Sequence, residues 1–145
     1  TRKTMSETKC ISLFTKAIQI DHTGEKNEIE FFVEGTYAVK NDSLYITYKE
    51  SEISGMEGTT TTLKITDHSL SIIRFGTYNS KLDFKHNEET ITNYQTPYGN
   101  IPIIINTRLL EIDMKQGEKS TIHLKYTLNT EGEEPINNEV IISYK

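Results

Sequence analysis

The sequence predicts an all-β protein: one closed, antiparallel, up-and-down barrel of about ten strands, with a two-sheet β-sandwich as the alternative. Three observations lead there. The chain has only two alanines, Ala17 and Ala38, while Ile, Val, Thr, Tyr and Phe supply more than a third of it. Such side chains lose rotamer freedom on a helix and pack well on a pleated surface. Apolar residues recur at every second position from Cys10 to the C-terminus, and turn-forming residues cut the pattern into short segments. At 145 residues, about a quarter of them Ile, Leu, Val or Phe, the chain is sized for a single core.

In order, strands are expected at Cys10–Ile20, Glu28–Val39, Ser43–Glu50, Thr59–Thr66, Ser69–Phe75, Tyr78–Phe84, Thr90–Thr96, Ile101–Thr107, Leu109–Lys115, Thr121–Thr130 and Glu139–Tyr144. The punctuation between them is Asp21–Gly24, Lys40–Asp42, Asp67–His68, Gly76–Thr77, His86–Asn87, Pro97–Gly99, Gln116–Gly117 and Glu131–Gly132, all residue types that tolerate turn geometry. Short connections make consecutive strands antiparallel neighbours. The second strand places Ile29, Phe31, Val33, Tyr37 and Val39 on one face and Glu28, Glu30, Glu34 and Thr36 on the other. Leu110, Ile112 and Met114 likewise oppose Glu111, Asp113 and Lys115, and Ile122, Leu124, Tyr126 and Leu128 oppose Thr121, His123, Lys125 and Thr127. One dry face and one wet face describe a sheet that closes on itself, which also removes exposed edges. Pro102 lacks a ladder donor and is expected to mark a bulge or a strand entry. The barrel domain is drawn at 9–145, with residues 1–8 a flexible lead-in, Met5 the natural start and Thr1–Thr4 an added remnant.

A net charge of −5 and no Lys/Arg run longer than two argue against nucleic-acid binding, which needs a concentrated basic face. No apolar stretch reaches the roughly 18 residues of a membrane span, and no basic-then-apolar signal opens the chain. A cytoplasmic setting is expected, in keeping with the single cysteine, Cys10, at the start of a strand.

Chemistry-bearing motifs are sparse. No metal-ligand spacing is present: His22, His68 and His86 fall in turns and His123 on a polar strand face, so all four are read as solvent residues, and no cofactor is expected. No Gly-x-Ser-x-Gly nucleophile motif occurs. Gly55–Met56–Glu57–Gly58 lacks the Lys and the helix of a phosphate loop and reads as a flexible loop. Two charges do stand out. Glu50 continues the apolar face of Leu44, Ile46 and Tyr48, and Arg74 that of Leu70 and Ile72. Either these charges reach water at strand ends or pair with each other, or Arg74, with Tyr48, Thr61 and Tyr126, lines a pocket for a small polar or anionic ligand.

The series Tyr48-x-Glu50, Gly58-Thr59-Thr60-Thr61-Thr62-Leu63-Lys64-Ile65, Arg74-x-Gly76, Leu82-x-Phe84, Tyr94-x-Thr96-Pro97-Tyr98-Gly99, Thr107 and Tyr126 resembles the bacterial YwiB-like domain of unknown function, from about Lys9 to the C-terminus. The resemblance implies a lipocalin-like (calycin) β-barrel of Gram-positive bacteria with no established activity. The chain has no Trp, so the Gly-x-Trp signature of secreted lipocalins is absent, and lipophilic transport is an analogy from fold alone. With that series, the candidate ligand-binding set is Arg74, Glu50, Tyr48, Thr61, Tyr126 and Thr107.

Three functions follow as expectations. The first is a non-enzymatic barrel binding a small polar or anionic molecule. The second is an interaction module or homodimer with a filled barrel, because one face of Ile103–Ile104–Ile105 must point outward and leave Ile104 exposed or covered by a partner. The third is an enzyme with Glu50 as base, Arg74 as clamp and Tyr126 assisting.

Overall fold

The period-2 pattern produces ten strands: β1 (Lys9–Ile20), β2 (Lys26–Lys40), β3 (Ser43–Lys49), β4 (Thr59–Ile65), β5 (Ser69–Gly76), β6 (Ser80–Lys85), β7 (Glu89–Thr96), β8 (Gly99–Asp113), β9 (Ser120–Thr130) and β10 (Ile136–Tyr144). The structure, a computed structural model, describes residues 8–96, 98–115 and 117–145. The expectations for Met5, for the rest of the lead-in before residue 8 and for the turn residues Pro97 and Gln116 lie outside the described residues. All ten strands form one sheet in the order β6-β5-β4-β3-β2-β1-β10-β9-β8-β7, so the sandwich alternative is set aside. The two end strands meet: Thr90 Oγ1 donates to the Asp83 carbonyl at 2.6 Å and Thr92 Oγ1 to the Lys81 carbonyl at 2.8 Å. Side chains thus stitch β6 to β7, and the antiparallel up-and-down barrel is nearly closed.

The expected break between Thr107 and Leu109 is a β-bulge inside one long strand, β8. Both Thr107 and Leu110 are buried, so the inward face moves from odd to even positions across Arg108, and one extra residue accounts for that change of phase. The backbone N–H groups beside the bulge find partners on the β6–β7 turn: Thr107 N donates to the Glu88 carbonyl at 3.0 Å and Leu110 N to His86 Nδ1 at 3.1 Å. His86 stays exposed in this turn, in keeping with its reading as a solvent residue, while its Nδ1 serves as an acceptor at the seam. Pro102 marks neither a bulge nor a strand entry. Within β8 it is the register partner of Asn93 on β7, while the β9 ladder begins only at Ile103–Thr130, so no β9 residue stands opposite it to need a donor.

Leu13, Ile46, Leu63, Ile65, Leu70, Phe84, Ile105, Ile122 and Leu124 fill the interior, fully buried. At Gly35, on β2, an added Cβ would lie 2.7 Å from the Thr47 carbonyl oxygen and 3.3 Å from Tyr48 Cβ. Only glycine lets β3 lie this close, and that approach seats Tyr48 inside the wall. Ile29, Val39 and Met114, expected on dry faces, are exposed: Ile29 lies on the part of β2 that β3 does not reach, Val39 near the end of β2 and Met114 past the end of β8. On the outer wall, Phe32 is 81% exposed and packs against Phe14 with ring centroids 4.8 Å apart. Among the described residues no helix is long and apolar enough to cross a membrane.

Candidate functional site

The cavity of interest arises from unequal strand lengths. β1 and β2 pair over their whole shared length, from Lys9–Tyr37 to Ile20–Lys26, but β3 joins β2 only from Thr36–Thr47 onward. The first half of β2 therefore overhangs the shorter β3–β4 hairpin. The segment between β3 and β4, read from sequence as a flexible loop, carries a single 3-10 turn at Glu52–Ser54, with Ser51 at its N-cap and Gly55 at its C-cap. It contributes Ser54 and Met56 to the wall of a cavity of about 200 Å³. Phe31, Leu63, Ile72, Leu82 and Val140 make the rest of that wall largely hydrocarbon.

Two rows of polar residues run past this space, and only some of their members line it. Cross-strand register aligns Tyr48 with Thr61, Thr61 with Arg74 and Arg74 with Ser80, one row running over β3, β4, β5 and β6. On the other wall Thr107 aligns with Tyr126 and Tyr126 with Asn138. Glu50 lies just past the end of β3, held by its own N–H donating to the Thr59 carbonyl at 2.8 Å. Its Oε2 accepts a hydrogen bond from Thr61 Oγ1. Of the expected ligand-binding set, Tyr48, Glu50, Arg74 and Tyr126 line the cavity. Thr61 stands behind Glu50 and braces it, and Thr107 is buried beside Tyr126 without lining the cavity.

Several of these groups are unsatisfied. Glu50 Oε1, Arg74 Nε, Thr15 Oγ1 and Thr107 Oγ1 are all buried, and none has a hydrogen-bond partner among the described residues. Glu50 as a whole is 7% exposed and Thr15 6%. A buried donor or acceptor left unpaired costs about 1–3 kcal/mol, and a charged one more. The alternative in which Arg74 and Glu50 simply satisfy one another is not met at these two atoms. Burial pushes the Tyr48 phenol well above its ordinary value, and the neighbouring Glu50 charge adds to the effect. Burial also raises the Tyr126 phenol, against an opposing pull from Arg74. Both tyrosines therefore present neutral hydroxyls at physiological pH.

Thr15 was not singled out by the sequence reading, although it interrupts the apolar face of Ile11, Leu13 and Ala17 just as Glu50 and Arg74 interrupt theirs. His123 was read as a solvent residue, and the structure corrects this: its Nε2 lies 2.6 Å from Glu139 Oε2 and its Nδ1 3.8 Å from Glu111 Oε1, on the outer wall. The hydrogen bond from His123 is the leading cause of the lowered Glu139 carboxyl pKa. Among the described residues no group of three or more His, Cys, Asp or Glu is arranged to hold a metal ion. A wider hollow of about 760 Å³ opens at the opposite end of the barrel, lined by Lys9, Tyr37, Asp42, Asp67, Glu118 and Lys145 among others. It is larger, but none of the four unpartnered buried atoms lines it.

Fold and site together define an antiparallel β-barrel with a small cavity, polar at its head and apolar along its walls, near one end. Over residues 14–142 the chain matches the family described as a domain of unknown function, DUF1934, and it belongs to that family. It is 25% identical over 141 residues to the uncharacterized β-barrel protein YwiB of Bacillus subtilis (strain 168), a match covering 97% of this chain and 96% of YwiB. The crystal structure of the ywiB protein from Bacillus subtilis aligns with a TM-score of 0.82 at 22% identity, covering 97% of this chain and 94% of that one. At that identity the likeness speaks for the fold alone. The family resemblance carried by the ordered series from Tyr48 to Tyr126 is borne out.

Proposed function

We propose that this protein is a non-enzymatic binding barrel for a small polar molecule held in the 200 Å³ cavity, with Arg74 and Glu50 as its anchors and Tyr48, Tyr126 and Thr15 around them. One observation carries the reading. A carboxylate oxygen and a guanidinium nitrogen are both buried and unpartnered beside an apolar-walled space, at a cost in stability that a bound molecule would offset. The volume lies below the roughly 300–1,000 Å³ of pockets for drug-sized ligands, which favours a metabolite fragment over a lipid. Cytoplasmic residence fits this role, since the exposed thiol of Cys10 stays reduced there.

Native mass spectrometry of protein freshly purified from its own host tests the proposal. A population heavier than the bare chain by a small-molecule mass is expected, and Arg74→Met should lose it. A bare mass, together with no compound of a metabolite library raising the melting temperature, would overturn it.

A second reading rests on the outer wall of β7 and β8. Ile91 is 66% exposed, and its register partner is Ile104, the outward residue of the Ile103–Ile105 run. This apolar pair fits a homodimer contact. Sedimentation at micromolar concentration should then show a dimer that Ile91→Glu dissociates, whereas a monomer in both cases removes this reading.

A further inference from the structure

Three residues that line the cavity each carry a buried, unpartnered atom, and these atoms ask for different things. Glu50 already accepts from Thr61 through Oε2, so its free Oε1 takes a donor. Arg74 Nε–H takes an acceptor, and the Thr15 hydroxyl can act either way. Both Glu50 and Thr15 are more than nine-tenths buried, so bulk water does not meet these needs.

A ligand with one kind of head fails one partner. A carboxylate or phosphate accepts from Arg74 but sets a second negative charge against Glu50 where the local dielectric is low. A primary ammonium donates to Glu50 but is repelled by Arg74 and leaves its Nε–H unpaired. Resting on the binding reading above, we infer that the cavity selects molecules whose head carries a donor and an acceptor side by side with no net charge, on a short apolar body. An amide edge and an amino-acid zwitterion share this chemistry. The body lies along Phe31, Leu63, Ile72, Leu82 and Val140, and 200 Å³ keeps it short. Glu50 is the specificity-determining residue: it rejects the simple acids that Arg74 alone would admit, a repulsive element set beside an attractive one.

Calorimetric titration with four probes of equal carbon chain length tests this: pentanamide, norvaline, pentanoate and pentylamine. Pentanamide or norvaline should bind at least about tenfold more tightly than pentanoate and pentylamine, and their order tells the amide edge from the zwitterion. Pentanoate binding as tightly as the better of those two would overturn the inference and leave the binding barrel standing. If none of the four binds, the inference falls, and the native mass alone then decides the broader proposal. The isosteric Glu50→Gln variant should gain affinity for pentanoate by at least about tenfold. Continued exclusion of pentanoate by a variant with an unchanged melting temperature would remove Glu50 as the selector. The ranking on the unaltered protein is readable even if that variant does not fold.

Discussion

The two ends of the barrel interior are built on different principles. Toward the end where β2 turns into β3, inward positions hold mainly hydrocarbon, with Ile11, Leu13, Leu44, Ile46, Ile65, Leu70, Phe84 and Ile122 all buried. Of the buried hydroxyl residues there, Ser43 and Ser120, Ser120 is bonded to the Lys115 backbone. Toward the end where β1 turns into β2, the same faces hold Thr15, Glu50, Thr61, Arg74 and Tyr126, with three unpartnered buried atoms among those that line the cavity. A core needs no charge to fill space, and hydrophobic residues of similar volume are often as good or better. The apolar end therefore supplies stability, and the polar end gives some of it up.

Substitutions break or sharpen that contrast. At the apolar end, Phe84→Ala should cost about 3–5 kcal/mol in denaturant unfolding, because a fully buried ring that also packs on Tyr126 leaves a void. At the polar end, Thr61→Val removes the donor to Glu50 Oε2 and should cost about 1–3 kcal/mol, the price of one more unsatisfied buried acceptor. Thr15→Val should run the other way. It replaces an unpartnered buried hydroxyl with a methyl of the same shape, so unfolding should show stability equal to or up to about 1 kcal/mol above that of the parent while ligand affinity falls. A loss as large as that at Phe84 would show that Thr15 is bonded after all.

Titration separates the regions as well. The Tyr48 and Tyr126 phenols are raised in the fold, so the stability they contribute is fully present below the ordinary tyrosine range and is lost as pH climbs through their folded values. Phenolate absorbance should show them resisting ionisation until the barrel unfolds. On the outer wall the sign is opposite. Glu139 is lowered in the fold, so its contribution is present above the ordinary carboxylate range and fades as pH falls through the folded value. Because the pair lies on the outer wall and is only partly buried, His123→Ala should cost less than about 1 kcal/mol, and salt should shrink even that.

Much of the architecture was legible because burial on a sheet leaves a two-residue rhythm, and that rhythm survives in β2, β8 and β9. It failed at Arg108, where a bulge resets the phase and looks like a strand break, and at Pro102, which lies beyond the reach of the β9 ladder. Glu50 and Arg74 were legible because a charge on an apolar face is conspicuous. Thr15 carries the same signal faintly, since threonine is common throughout a β-rich chain. The pairing of His123 with Glu139 depends on the register between β9 and β10, and the place of Met56 on the overhang of β2 past β3, neither of which is written in local spacing.

The central claim is that Arg74 Nε and Glu50 Oε1 are kept apart for a third partner. A high-resolution electron-density map of the protein taken from its own host measures this directly. The account predicts a small molecule bridging the two atoms, with its apolar portion against Leu63 and Ile72. Arg74 and Glu50 bonded to each other across a collapsed cavity would contradict it.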